Sequence, residues 1–204
     1  YFALLGGAKV SDKIPILKSL VEKVDGIAIG GAMAYTFLLA KGEKAGKSLV
    51  EPEMVETSAE IMKRAKGRGI PFLLPVDHVA AASIDDTATK TVDRLDDQSA
   101  GFDIGPKTIA LFASEIKKAK TIVWNGPMGV FEKEQFRKGT VEIAKAVADT
   151  EAIKIVGGGD SVSAIKVAGV ESRITHISTG GGASLELIAG DKLPGVEILY
   201  EKGQ

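Results

Sequence analysis

The sequence predicts an α/β fold: a parallel sheet made of βαβ units and covered by helices on both faces. Three observations predict it. Short apolar runs recur, each followed by a Gly-rich or Pro-containing turn and then a helix-like pattern. The runs are continuous rather than alternating, as suits strands buried on both faces. Glycine makes up 24 of 204 residues, against an average of about 7%, and it clusters after the apolar runs rather than spreading as in a linker.

The predicted strands, in order, are YFALL (Tyr1–Leu5), GIAI (Gly26–Ile29), PFLL (Pro71–Leu74), TIVW (Thr121–Trp124), IKIV (Ile153–Val156) and THIS (Thr175–Ser178). Between them lie helical patterns. In KIPILKSLVEKV, Ile14, Leu17, Leu20, Val21 and Val24 recur at spacings of three and four, and Pro15 fits a first turn, where its missing N–H costs little. PEMVETSAEIMKRAKGRG opens at Pro52 and closes on Gly67 and Gly69; PKTIALFASEIKKA and KGTVEIAKAVADT read the same way. The polar stretch Ala80–Gly101 is too long for a plain turn and is expected to carry one or two short surface strands. No linker interrupts the pattern, so residues 1–204 read as one domain.

Composition excludes several classes. The net charge of −1 offers no long-range field for nucleic acid or an anionic membrane surface. Without cysteine, disulfides and thiolate metal sites are absent, and an intracellular setting fits. No apolar run reaches the ~18 residues of a membrane span. The chain opens inside a strand-like run with neither a start Met nor a basic leader, which suggests a cut from a longer chain rather than a signal peptide.

In such a sheet, ligands bind beyond the carboxyl ends of the strands. Those ends carry GGAK, GGAMA, PVD, NGPMGVFE, GGGDS and TGGGAS. In IVGGGDSVSA (Ile155–Ala164), a glycine triplet precedes a helix start. Glycine lets a ligand approach the backbone closely, and first-turn N–H groups with the helix dipole favour an anion. Asp160 and Ser161 read either as helix caps or as part of a phosphate cradle, with Asp160 toward a metal on the phosphates. HISTGGGASLEL offers a second cradle. In LLGGAKVSDK (Leu4–Lys13), Lys9 and Lys13 are four apart and would share one face of a helix. Cations there oppose the helix dipole unless an anion compensates. They read either as a solvated patch relieved by Asp12 or as a clamp on phosphoryl oxygens. In VWNGPMGVFE, Asn125 suits a turn or the orientation of a phosphate, and Glu132 suits helix N-terminal charge or ribose hydroxyls; Trp124 and Phe131 read as core.

Other motifs fall away. GGGDS lacks the G-x-G-x-x-G spacing of a dinucleotide site. GEKAGKS (Gly42–Ser48) has three residues between its glycines rather than four and follows a helix-like stretch, so it is no P-loop, and Lys41, Lys44 and Lys47 read as surface charge. His78 and His176 have no ligand-spaced partners, so no zinc site is expected. No nucleophile elbow is present.

Taken together, LGGAKVSDK, IGGAMAYTFL, GKSLVE, LPVD, DIGPKT, VWNGPMGVFE, IVGGGDS and HISTGGGASLE resemble, in order from Phe2 to Val196, the C-terminal nucleotide-binding half of phosphoglycerate kinase. The resemblance implies a Rossmann-like, doubly wound domain with a six-stranded parallel sheet. It implies reversible phosphoryl transfer between 1,3-bisphosphoglycerate and MgADP, giving 3-phosphoglycerate and MgATP, by a monomeric cytoplasmic enzyme of glycolysis. The implied catalytic residues are Lys13, at the nucleotide phosphates and the transferring group, and Gly181, in the STGGGAS helix start. Lys9 would lie near the α-phosphate, Gly30, Gly31 and Gly101 along the adenine pocket, Glu132 at the ribose and Asn125 near the triphosphate. Gly158, Gly159, Asp160 and Ser161 would wrap the phosphates, with Asp160 toward Mg²⁺. Pro75–Pro106 departs from the family's usual spacing. The basic patch that binds phosphoglycerate belongs to the family's other half; Arg64, Arg68, Arg94, Arg137 and Arg173 are scattered here. The chain alone is therefore expected to be inactive. A non-catalytic nucleotide-binding module is the alternative.

Overall fold

The computed structural model describes residues 1–180 and Gly190. In order these form β1 (Phe2–Leu5), α1 (Ile14–Leu20), β2 (Gly26–Ile29), α2 (Met33–Ala40), α3 (Val55–Gly67), β3 (Phe72–Leu73), β4 (His78–Ala81), β5 (Lys90–Val92), β6 (Ala100–Ile104), α4 (Pro106–Ile116), β7 (Thr121–Asn125), α5 (Lys138–Ala148), β8 (Ile153–Gly157), α6 (Gly159–Val167) and β9 (His176–Ser178). No helix among the described residues is long and apolar enough to cross a membrane.

All six apolar runs become strands of one six-stranded sheet, ordered β3-β2-β1-β7-β8-β9, with every pair parallel. The chain winds outward from β1 to β3, then returns beside β1 and winds outward again from β7 to β9. The reversal of order lies between β1 and β7. The register aligns the strand ends: Leu5 lies opposite Ile29 and Asn125, and Asn125 opposite Gly157. The glycine-rich loops therefore leave the same edge.

Side chains alternate along β1 and divide the core into two layers. Ala3 and Leu5 pack with Leu17 of α1, Phe37 of α2 and Ile61 of α3. Phe2 and Leu4 pack with Phe112 of α4, Ile143 of α5, Ile165 of α6 and the fully buried Trp124. Helices thus cover both faces, the doubly wound arrangement the sequence implies, and Pro15 sits in the first turn of α1.

Two local expectations change. The Ala80–Gly101 stretch belongs to a three-stranded antiparallel sheet, β5-β4-β6. Two of its strands, β4 and β6, reach beyond the stretch, and Ala100, Gly101 and Ile104 are buried rather than on the surface. AGFDI carries too little β-branched character to read as a strand; tertiary contacts decide its conformation. Lys9 and Lys13 do not share a helix face. Helix α1 begins at Ile14, and the lysines lie on the preceding loop and turn, where Lys13 and Ile14 donate backbone hydrogen bonds to the Val10 carbonyl (2.8 and 2.9 Å).

Candidate functional site

A cavity of about 340 Å³ opens beyond the ends of β1, β7 and β8, at the reversal of strand order, where open α/β sheets bind ligands. Two loops form its floor by close backbone contact. Gly6 N–H donates to the Asn125 carbonyl (2.9 Å) and Gly7 N–H to the Pro127 carbonyl (3.0 Å). A Cβ on Gly126, at φ +90°, would lie 2.1 Å from the Gly6 oxygen. The glycines after these strands therefore let the two loops touch.

Lys9, Asp12, Lys13, Asn125, Gly158, Gly159, Asp160 and Ser161 all border this cavity. Lys13, half-buried, donates from Nζ to Asn125 Oδ1, and Asn125 Nδ2 donates to the Gly157 carbonyl (2.7 Å). The second bond fixes the amide so that its oxygen faces the lysine. Burial pushes the Lys13 ammonium below its ordinary pKa, while Asp12 and Asp160 pull it upward. Gly158, at φ +94°, is the N-cap of α6. Neither Asp160 nor Ser161 is the cap: both lie inside the first turn, because glycine can turn the chain where an L side chain is strained. Ser161 is fully buried, and its hydroxyl accepts the Gly126 N–H (2.6 Å), so its contribution to the cavity is the helix backbone. With no side chain on the cap residue, the first-turn N–H groups of α6 remain available to an anion.

A second, largely apolar cavity of about 310 Å³ adjoins the first and shares Gly7, Ala8, Pro127 and Asp160 with it. Gly31, Gly101, Leu49, Ile84, Phe102 and Val130 line it, with the exposed Glu132 at its margin. Gly30 is not part of this wall. It is buried behind Gly31, where a Cβ would meet the Met128 sulfur at 2.5 Å. Gly181 lies outside the described residues. Among the lining residues that sequence reading missed are Phe102, Val130 and two outlying apolar side chains, Leu49 and Ile84. The last two are 55% and 38% exposed, and the available signal was an apolar side chain isolated within a polar stretch. Trp124 and Phe131 are core. His78 is buried, with Nδ1 3.3 Å from the Tyr35 hydroxyl; burial lowers its pKa, against the pull of Asp77, Glu43 and Asp93. Among the described residues no group of three or more His, Asp or Glu could hold a metal ion. Asp160 is exposed and borders both cavities, and Asp12 borders the first.

The family model for phosphoglycerate kinase matches residues 1–191. The phosphoglycerate kinase of Koribacter versatilis is 57% identical over 207 aligned residues, which cover 99% of this chain and 51% of that protein. That of Bdellovibrio bacteriovorus is 54% identical over 202, covering 98% and 50%. Among solved structures, phosphoglycerate kinase from Coxiella burnetii gives a TM-score of 0.92 at 41% identity, over 97% of this chain and 52% of the other. The enzyme from Pyrococcus horikoshii gives 0.85 at 36%, over 98% and 52%. The chain spans about half the length of the curated relatives it matches. A model match across nearly the whole chain, relatives above half identity and a superposable parallel core place the chain in the phosphoglycerate kinase family.

Proposed function

We propose that residues 1–204 are a single nucleotide-binding domain and form the ADP/ATP-binding half of a phosphoglycerate kinase. The whole enzyme interconverts 1,3-bisphosphoglycerate and MgADP with 3-phosphoglycerate and MgATP, as a monomer in cytoplasmic glycolysis without nucleic-acid or membrane partners. The observation that carries this reading is the continuity of the two cavities: a glycine-walled, lysine-bearing end beside an apolar slot, which matches a phosphate chain attached to a flat base.

In this reading the purine lies among Leu49, Ile84, Phe102 and Val130, against Gly31 and Gly101, and Glu132 accepts from the ribose hydroxyls. Lys9 neutralises the inner phosphate. The first-turn N–H groups at Gly159, Asp160 and Ser161 receive the outer phosphates. Asn125 holds the Lys13 ammonium toward the transferring phosphoryl group. Phosphoryl transfer depends chiefly on alignment and charge stabilisation, which preplaced cations and N–H dipoles supply. Asp160 is the protein carboxylate that would hold Mg²⁺, which would offset the charge of the phosphates; a donor set this sparse suits an ion that keeps most of its ligands as water and phosphate. The phosphoglycerate site belongs to the other half, so this chain alone binds nucleotide without turnover.

Calorimetric titration of the chain with MgADP and MgATP, with NADH as a control, tests the binding half. Saturable uptake of either, and none of NADH, is expected. Supplying the phosphoglycerate-binding half then tests the chemistry: phosphoryl transfer should appear. Intact MgADP binding without transfer in the assembled protein would leave a nucleotide-binding module.

A further inference from the structure

Glu51 lies outside both cavities, yet its carboxylate holds the loop that carries the two lysines. Oε2 accepts the backbone N–H groups of Val10 and Ser11, the latter at 3.1 Å, and Oε1 accepts the Ser11 hydroxyl at 2.5 Å. The Val10–Ser11 peptide is one rigid plane. Its N–H points to Glu51, while its carbonyl accepts the Lys13 N–H at 2.8 Å. A single peptide unit therefore relays the position of Glu51 to Lys13. The anchor itself is firm: Glu51 N–H donates to the buried Thr36 hydroxyl of α2 (3.1 Å). Three residues upstream, Ser48 Oγ accepts the Gly101 N–H (2.9 Å), and between them Leu49 lines the apolar slot.

We infer that Glu51 is a positioning residue, which sets the Lys9–Lys13 loop against the phosphate end of the site and ties it, through Ser48–Glu51, to the wall of the base slot. The inference rests on the nucleotide-binding reading above. Burial pushes the Glu51 carboxyl up, but the hydrogen bonds from Ser11 and Val10 and the nearby Lys9 outweigh it and hold the group below its ordinary value. Glu51 is thus charged at neutral pH, and charged acceptors form the stronger hydrogen bonds.

The sign of one substitution separates positioning from simple charge. A carboxylate near a phosphate site repels the ligand, so removing it tightens nucleotide binding if Coulomb repulsion is its main effect. Positioning predicts the opposite. Glu51→Ala and Glu51→Gln are each titrated with MgADP and with adenosine, and amide exchange at Val10 and Ser11 is followed. In Glu51→Ala, MgADP should bind about tenfold more weakly, with adenosine affected by less than about twofold, and both amides should exchange faster. Glu51→Gln should recover most of the loss, because its carbonyl can accept the two N–H groups and its NH₂ can donate to the Ser11 hydroxyl. Unchanged or tighter MgADP binding in Glu51→Ala overturns the inference, and so does an equal loss for adenosine. If the wild-type chain takes up neither ligand, the nucleotide reading fails by itself, and the exchange measurement still decides: protection that survives Glu51→Ala overturns the positioning role. If Glu51→Ala does not fold, Ser11→Ala removes the hydroxyl contact alone; a selective MgADP loss supports the inference, and no selective loss overturns it.

Discussion

Lys13 donates its ammonium hydrogen bond to Asn125, 112 positions later in the chain. Lys13 immediately precedes α1, and Asn125 is the last residue of β7, paired in register with Leu5 on one side and Gly157 on the other. The contact thus spans the reversal of strand order. Asn125 is itself held by the Gly157 carbonyl, so the lysine is aimed into the cavity by the sheet rather than by a ligand. A cation ordered in advance need not reorganise when charge develops, which is the condition for electrostatic catalysis.

Lys13→Ala should therefore affect the chemical step more than nucleotide binding. In the assembled two-half enzyme, kcat should fall by about 3–4 kcal/mol in barrier terms. MgADP affinity should fall by about 1 kcal/mol, because Lys9 and the α6 N-terminus remain. Steady-state kinetics beside calorimetry gives both numbers. Equal losses in the two would show that Lys13 binds ground state and transition state alike.

The centre of the sheet is legible in the sequence because β1, β2 and most of β7 are buried, so each appears as a continuous apolar run, whereas β3, β8 and β9 toward the edges are partly exposed. The lysine-bearing cavity is legible for a related reason: loops that must touch, such as those at Gly6 and Gly126, exclude side chains, and the glycines remain visible in the sequence. The apolar cavity is largely hidden. Gly31, Gly101 and Glu132 stand in readable motifs, but Leu49 and Ile84 come from loops 35 positions apart (84 − 49), the second just past β4 of the three-stranded sheet. Its strand β6 contains Gly101 and Asp103, both poor strand formers, and is stabilised by contacts to Tyr35 and Ser48 that no local pattern encodes. Glu51 falls within the GKSLVE motif, yet its grip on the lysine loop crosses 40 positions to Ser11. Gly30 misleads, since adjacent glycines look equivalent in sequence while Gly31 faces the slot and Gly30 faces Met128.

Asp103 should make stability depend on pH in the unusual direction. It is buried in β6, 3% exposed, and accepts the N–H groups of Gly139 (2.6 Å) and Ile104 (2.9 Å). Burial raises its pKa from an ordinary 3.8 to about 7, against the downward pull of those two bonds. Between about 4 and 7 the folded protein thus holds a proton that the unfolded chain has lost. Its contribution is fully present below the unfolded value and declines as pH rises through the folded one, by on the order of 4 kcal/mol in total. Asp103→Asn cannot ionise. Relative to wild type, the variant should gain stability steadily from pH 4.5 to 7.5 (roughly the titration window), as read by urea denaturation at several pH values. A constant difference across that range would mean the carboxyl titrates at its ordinary value.

Gly126→Ala should be costly and Gly67→Ala should not, although both replace glycine by the same residue. Gly126 sits at φ +90°, and an added Cβ would lie 2.1 Å from the Gly6 carbonyl oxygen. Its N–H also donates to the buried Ser161 hydroxyl. The loops after β1 and β7 would have to separate, and that separation would move Asn125 and the start of α6 together. A loss of about 2–4 kcal/mol is expected, lowering Tm by roughly 5–12 °C for a chain of this size. Gly67 closes α3 in an exposed, helical position, and nothing lies within 4 Å of where an added Cβ would sit. There alanine restricts only the unfolded chain and should stabilise by about 0.5–1 kcal/mol. Thermal denaturation of the pair separates close backbone approach from general glycine content: similar shifts in the two variants would show that the loop contact at Gly6 and Gly126 yields without cost.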